Sequence, residues 1–562
     1  MTEKIKRIAG GAIFAGIVHA GYCPAEAAAP PDIIVMLVDD MGFSDFGCYG
    51  GEARTPNIDS LAANGIRFRN FYNTARCSPT RAAIMTGNYS QQVTDKPGAS
   101  LPQLRNDNNI TLPEILQRQG YRTYMAGKWH LGTDAARVPW KRGFQHVYGF
   151  GKTGAGNSAD YWGWTDYKLT SAGKEISPRV YGTNAYEFYQ TDALADYSID
   201  FINHHISKKD SASFFLYLAF HAPHFELCAA KEAAEYIPPG GRSYLDIYSQ
   251  GWDVVRKKRY DRMRAMGVID EKYALPPFSD TPFNRKEIKA VPDWNTLPAD
   301  RRADLVRRMA IYTAMIDQID VAVGRIVDRL RQTGRLDNTL IFILSDNGAN
   351  AEGGLYGSSA FGKEPLTGSK LANMGQPFAG DDLRLGGGWA NVANTPFRYY
   401  KRFNHEGGIH TPLIVHWPAG IKNPGRWSDQ AGHVIDIMST AAGISGAVFP
   451  TQYNGHAVLP MEGKSLVPVF NDEKETVPRQ LGFEHETNRA WIDGHWKLVT
   501  KNFTDNISSV DTLELYDLHA DPTELRNVAK EYPEQLSSMI VAWNTWAQKV
   551  GVPSERLLNP PK

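Results

Sequence analysis

The chain has 562 residues, with 61 Lys and Arg against 61 Asp and Glu, so its formal net charge is zero. That balance gives no electrostatic case for a nucleic-acid partner, and any anion binding has to come from a local cluster. Hydrophobic residues at 42% and aromatic residues at 11% suit a soluble globular protein, long enough for one large domain with a smaller one beside it.

Residues 1–27 read as a secretory signal peptide. Lys4, Lys6 and Arg7 precede an eleven-residue run of apolar residues and Gly from Ile8 to Val18, and Ala25-Glu26-Ala27 offers a small-x-small cleavage site. The run is too short to span a bilayer, and no later stretch approaches the ~20 apolar residues of a membrane helix. Cleavage implies a periplasmic or secreted protein. Tyr22 before Cys23 argues against a lipoprotein. With Cys48, Cys77 and Cys228, the chain has four cysteines, too few for a disulfide scaffold. Cys48 and Cys228 can pair or stay free, and we favour free.

Ile33 to Val38 is a continuous apolar run ending in Asp39-Asp40, which reads as a central parallel strand with two carboxylates at its C-terminal edge. Ligand sites in open α/β sheets lie at that edge. Adjacent carboxylates repel, so a hard cation such as calcium or magnesium between them is a natural resolution. Cys77-Ser78-Pro79-Thr80-Arg81 follows, with a helix expected from Pro79 and a stop at Gly87. Cys77 then sits at a helix N-terminus, where a thiolate or an oxygen anion derived from it is favoured. The plainer alternative is a small buried hydrophobe.

Thr111 to Glu114 reads as a capping box that opens a helix to Gln119. Tyr121 to Ala126 reads as a strand, with Lys128 and His130 just beyond its end. Residues 150–195, rich in Gly, Tyr and Trp, read as a long excursion over the sheet edge that shapes a cleft. Phe214 to Phe220 reads as a buried strand leading to His221 and His224, either of which can simply cap it. Residues 230–300 read as a charged insertion. Leu305 to Leu330 has helical periodicity. Leu340 to Leu344 reads as a strand ending in Ser345-Asp346-Asn347-Gly348. Gly386 to Gly388 reads as a loop, and Leu413 to Val415 as a further strand. A domain boundary is expected in the loop-like stretch Gly443 to Gly463, separating a catalytic domain (30–442) from a C-terminal α+β domain (464–562). Strands at 490–492, 496–499 and 513–516 and a closing helix from Pro533 to Val550 fill the latter.

Apolar strand followed by polar residues therefore recurs four times, at Asp39-Asp40, Lys128 with His130, His224, and Asp346-Asn347. A parallel sheet brings those ends together. The set holds three carboxylates and an amide for a hard cation, with Lys, His and Arg for an anion.

At these motifs the chain resembles the type I sulfatases of the alkaline phosphatase superfamily, most closely the bacterial arylsulfatases. The resemblance covers most of residues 31–530 and also takes in Lys401, Glu406 to Ile409 and Leu515 to Leu518. Phe225-Glu226 after His224 is a departure from the family pattern, where relatives often carry a second proline nearby. The resemblance implies a large mixed, mostly parallel α/β sheet flanked by helices, plus a C-terminal domain with a short antiparallel sheet. It implies that Cys77 is converted by a formylglycine-generating maturation enzyme to formylglycine, whose hydrate attacks a small sulfate ester. One Ca²⁺ per chain is then held by Asp39, Asp40, residue 77, Asp346 and Asn347. Arg81 and Lys128 hold the hydrate, and Lys128, His224 and Lys401 neutralise sulfate oxygens. His224 or Lys401 protonates the leaving alcohol, and His130 deprotonates the second hydroxyl. The alternatives are a phosphonate monoester or phosphodiester hydrolase with the same nucleophile, and a sulfated-glycan binding protein without activity.

Overall fold

The run from Asp32 to Val38 forms a strand (β1) that is buried along its whole length. Alternate side chains serve two cores: Ile34, Met36 and Val38 pack on one face of the sheet, and Ile33, Val35 and Leu37 on the other. The computed structural model describes residues 29–559 apart from 100–101, 151–166, 180, 182–187, 210, 240, 284–286, 377–381, 474–477 and 501–512. The expected signal peptide, with Cys23, lies outside the described residues, as do residues 151–166 of the expected excursion.

Among the described residues the central sheet has ten strands. After β1 come β2 (Ile66–Phe68), β3 (Arg122–Gly127), β4 (His146–Phe150), β5 (Tyr167–Ser171), β6 (Lys174–Ile176), β7 (Phe214–Ala219), β8 (Thr339–Ser345), β9 (Leu413–His416) and β10 (Arg426–Ser428). The spatial order is β10-β2-β9-β8-β1-β7-β3-β4-β5-β6. The five strands β8, β1, β7, β3 and β4 run parallel, while β9, β5 and β6 pair antiparallel with their neighbours. The fold is thus a large mixed sheet with a parallel centre, as expected. The 34-residue helix Ala299–Gln332 covers one face, burying Leu305, Met309, Met315, Ile319, Val323 and Ile326.

Three expectations need correction. The 150–195 stretch is not only an excursion: its described parts carry the edge strands β5 and β6 and the start of the helix Gln190–Ser207, which buries Leu194, Tyr197 and Phe201. The charged segment 230–300 is part of the body of the fold. Its helix Trp252–Ala265 buries Trp252 and carries Arg259, whose guanidinium meets Asp45 at 2.7 Å and Glu52. Gly387 and Gly388 open a short helix, Gly387–Ala393, instead of lying in a loop.

The C-terminal part holds a four-stranded antiparallel sheet, 480–485, 488–493, 496–500 and 513–517 in that order. The first of these strands had no counterpart in the sequence reading. The closing helix is Pro533–Val550. Its Trp543 and Trp546 lie in the same buried cluster as Ala82 to Met85, and the Tyr89 and Trp546 rings meet at 5.1 Å. A buried ion cluster joins the two parts again: Lys497 Nζ lies 2.6 Å from Glu406 Oε1 and 2.7 Å from Glu524 Oε1. No helix among the described residues is long and apolar enough to cross a membrane. Among the described residues Cys48, Cys77 and Cys228 are buried and form no disulfide with one another.

Candidate active site

The ends of β1, β3, β7 and β8 meet at one place. Asp39 and Asp40 leave β1, and Asp40 takes a positive φ of 65° that turns both carboxylates into the centre. Asp346 and Asn347 leave β8, the parallel neighbour of β1. Lys128 leaves β3 through Gly127, whose φ is +107°. A Cβ on Gly127 would lie 1.9 Å from the Ala219 carbonyl of β7, so only glycine lets the two strands part here. The loop after β7 delivers His224.

Cys77 is the first residue of the helix Cys77–Thr86, which ends at Gly87 in the left-handed region. Its Sγ lies 3.4 Å from Asp39 Oδ1 and 4.0 Å from Asp40 Oδ1. One turn on, Arg81 reaches Asp346 Oδ2 at 2.7 Å and Asp39 Oδ2 at 3.2 Å. Its Nη1 donates to the Lys128 carbonyl at 2.9 Å. Lys128 Nζ pairs with Asp39 Oδ2. Lys401 Nζ sits 2.7 Å from Asp40 Oδ1, and His224 Nε2 sits 3.5 Å from Asp40 Oδ2. All of these residues are buried. His130 lies beside them with both ring nitrogens buried and without a partner.

Ionisation follows from this packing. Burial alone would raise Asp39, but Lys128, His224 and Arg81 outweigh it and hold the carboxyl well below the usual range. Asp346 goes the other way, pushed up by burial and by the Asp39 charge. Burial, with Asp39 next, also pushes the Cys77 thiol up. Burial thus works against the thiolate expected at this helix N-terminus. Burial lowers His130, with Lys128 and Arg81 adding to it, so its ring is neutral. Burial likewise takes His224 down to about 4, against the pull of Asp40. Lys401 is raised: burial opposes the charge, and Asp40 and Glu352 more than offset it.

The residues suit a hard cation. Asp39, Asp40, Cys77 and His224 present ligand atoms all within 4.8 Å of one another. Asn347 Nδ2 donates to Asp40 Oδ1 at 2.7 Å and to the Gly348 carbonyl at 2.9 Å. That leaves Asn347 Oδ1 buried with no partner, an orphan acceptor that an oxygen-seeking ion satisfies. Two neighbours escaped the sequence reading. Asn350 Nδ2 donates to Asp40 Oδ2 at 2.6 Å. Glu352 pairs with Arg76 at 2.5 Å and lies 3.7 Å from Lys401. Both follow Asn347 by a few residues, so scanning the whole loop after β8 for polar side chains would have found them.

Carboxylates gathered for a cation, and cations gathered for a tetrahedral anion, at the ends of parallel strands define a hydrolase of oxyanion esters. Comparison with known proteins gives the family. The sulfatase family model matches residues 31–447, and the chain belongs to that family and is a sulfatase. A second model, described as N-sulphoglucosamine sulphohydrolase, C-terminal, matches residues 397–542. The chain is 32% identical over 553 residues to an uncharacterized sulfatase of Schizosaccharomyces pombe, covering 93% of this chain and 94% of that one. It is 32% identical over 481 residues to the arylsulfatase of Klebsiella aerogenes, covering 83% and 96%. Among solved structures, that of Ps i-CgsB superposes with a TM-score of 0.61 at 24% identity, covering 93% of this chain and 94% of that one, a likeness of fold.

Proposed function

We propose that this sulfatase hydrolyses a small sulfate ester of the aryl type through a formylglycine made from Cys77, with one calcium ion held by Asp39, Asp40, residue 77, Asp346 and Asn347. The observation that carries the reading is the place of Cys77, wedged between Asp39 and Asp40 at the mouth of a buried cation cluster. Formylglycine hydrate supplies two hydroxyls on one carbon, one to attack sulfur and one to expel sulfate afterwards. Calcium supplies positive charge against the developing oxyanion.

The chain's own residues do the rest. Arg81 and Lys128 hold negative charge at residue 77, and their ion pairs with Asp39 and Asp346 fix them in place for it. Lys128 and Lys401 carry the charge that neutralises the sulfate oxygens in a buried site, and His224 lines it as an uncharged polar ring. His224 or Lys401 gives the leaving oxygen its proton. His130, neutral and with free ring nitrogens, takes the proton that must leave the second hydroxyl. Asp346, whose carboxyl is pushed up, can take the first. The N-terminal run with Lys4, Lys6 and Arg7 supports export to the periplasm or beyond, with the maturation enzyme as a transient partner.

The test sets 4-nitrophenyl sulfate against a phosphonate monoester, with wild type and Cys77→Ala. The sulfate is expected to be turned over faster, and only by wild type. A preference for the phosphonate would overturn the substrate, and activity in Cys77→Ala would overturn the nucleophile.

A further inference from the structure

His224 is built into a three-layer stack. Its imidazole lies on the ring of Phe225, with centroids 4.2 Å apart and planes 30° from parallel. The Arg384 guanidinium lies over the same ring, its carbon 4.0 Å from the centroid. Two flat groups each about 4 Å from one ring centre overlap if they share a face, so Phe225 separates them. Cation–π attraction acts within about 6 Å, and here it loads one face of the benzene ring while the imidazole loads the other.

The far layer is fixed. Arg384 Nη2 donates to Asp382 Oδ1 at 2.7 Å, and its Nε reaches the same oxygen at 2.9 Å. The backbone is held on both sides: Arg384 N–H donates to the Ser358 carbonyl at 2.9 Å, and its carbonyl accepts from Arg308 Nη1 at 2.8 Å. The stack also bridges two walls of the centre. A Cβ on Gly353 would lie 2.8 Å from Arg384 Cβ. Gly353 follows Glu352, the carboxylate beside Lys401. At the other end His224 Nε2 faces Asp40 Oδ2 at 3.5 Å.

We infer that Phe225 and Arg384 are positioning residues that clamp the His224 imidazole in its working orientation, with Phe225 as the spacer between an anchored cation and the ring. Neither touches the reacting atoms, and both act through His224. This rests on the role in sulfate ester hydrolysis given to His224 above. It gives Phe225 a task of its own in this chain.

The test is a double-mutant cycle on turnover of 4-nitrophenyl sulfate by the mature enzyme. Misplacing a catalytic group by an ångström costs up to about 10²-fold, so Phe225→Leu, which keeps bulk but removes the flat face, is expected to lower kcat by about tenfold. Phe225→Tyr, which keeps the face, is expected to restore most of that loss. In a His224→Ala background, Phe225→Leu is expected to change kcat by less than about twofold, because the ring it orients is gone. Arg384→Met is a second arm that leaves Phe225 in place, and it follows the same pattern with a smaller loss. Additive losses, with Phe225→Leu costing the same factor with or without His224, would overturn the clamp and leave the role of His224 standing. A His224→Ala enzyme as fast as wild type would overturn that role itself, and the clamp with it.

Discussion

Replacing Lys497 by Met strands two buried carboxylates. Lys497 Nζ lies 2.6 Å from Glu406 Oε1 and 2.7 Å from Glu524 Oε1, and all three residues are buried. Glu406 Oε2 is also 2.6 Å from His410 Nδ1, and the Glu406 N–H donates to Glu524 Oε2 at 2.9 Å. Breaking a buried pair by removing one partner costs about 3–5 kcal/mol, because the remaining charge has neither water nor a counter-ion. Met fills the space of the lysine stem, so the loss reports charge and not a cavity. The two carboxylates come from opposite sides of the junction between the main sheet and the C-terminal sheet, so the junction weakens first. Burial raises the Glu406 carboxyl, but Lys497 and His410 outweigh it and bring it to about 2, against 4.5 for an ordinary glutamate. A carboxyl lowered in the folded chain stabilises it above about pH 4.5 and loses that contribution as pH falls towards 2. In the variant the cation is gone and burial favours the protonated acid, so its deficit shrinks between pH 7 and pH 4.5. Urea unfolding followed by tryptophan emission at pH 7 and pH 5 reads both effects. Adding Glu524→Gln to Lys497→Met is expected to recover part of the loss. A Lys497→Met protein as stable as wild type at pH 7, or a deficit unchanged at pH 5, would refute the reasoning.

Asp39→Ala and Asp346→Ala each remove an oxygen donor and leave Arg81 with one carboxylate fewer, so bound calcium falls and kcat drops by at least about 10²-fold; metal analysis beside the sulfate assay checks both. Peptide mass spectrometry of mature protein is expected to find the Cys77 segment lighter by about 18 Da, the exchange of sulfur for oxygen with loss of two hydrogens. Cys77→Ser is expected to accept sulfate but not to release it, and quenched-flow kinetics with less than one turnover shows that, since a lone hydroxyl has no neighbour to expel the group. Gly127→Ala forces a side chain into φ +107° and within 1.9 Å of the Ala219 carbonyl. The strain alone costs about 1–3 kcal/mol, and moving Lys128 with it lowers kcat, which unfolding and rate measurements on one sample reveal.

The candidate site was legible because its strands are central. β1, β7 and β8 are buried on both faces, so they appear in the sequence as unbroken apolar runs and the polar residue that ends each run is conspicuous. The Cys77 helix was legible from Pro79 and Gly87, which sit at its first and last turns. The edges of the fold were not. β6 reads Lys-Glu-Ile and is exposed throughout, so it has no apolar signal, and only its pairing with β5 makes it a strand. The helix Gln190–Ser207 buries Gln190, Thr191 and Ser198 beside its apolar residues, which blurs the period. The Glu406, Lys497 and Glu524 cluster joins a short helix, a strand and a loop far apart in the chain, and no local pattern announces a contact of that kind. The Phe225 and Arg384 pair is hidden for the same reason.

The closing helix also decides how far the Cys77 side chain is shielded. Its Trp546 rests on Tyr89, and its apolar face completes the cluster behind the helix that begins with Cys77. Without its residues, the hydrophobic bed of the Cys77 helix is incomplete. Once they are in place, Cys77 is 2% exposed. The shielding of this side chain therefore depends on a segment far away in the chain, and a truncation that deletes the final helix is expected to raise the exposure of Cys77.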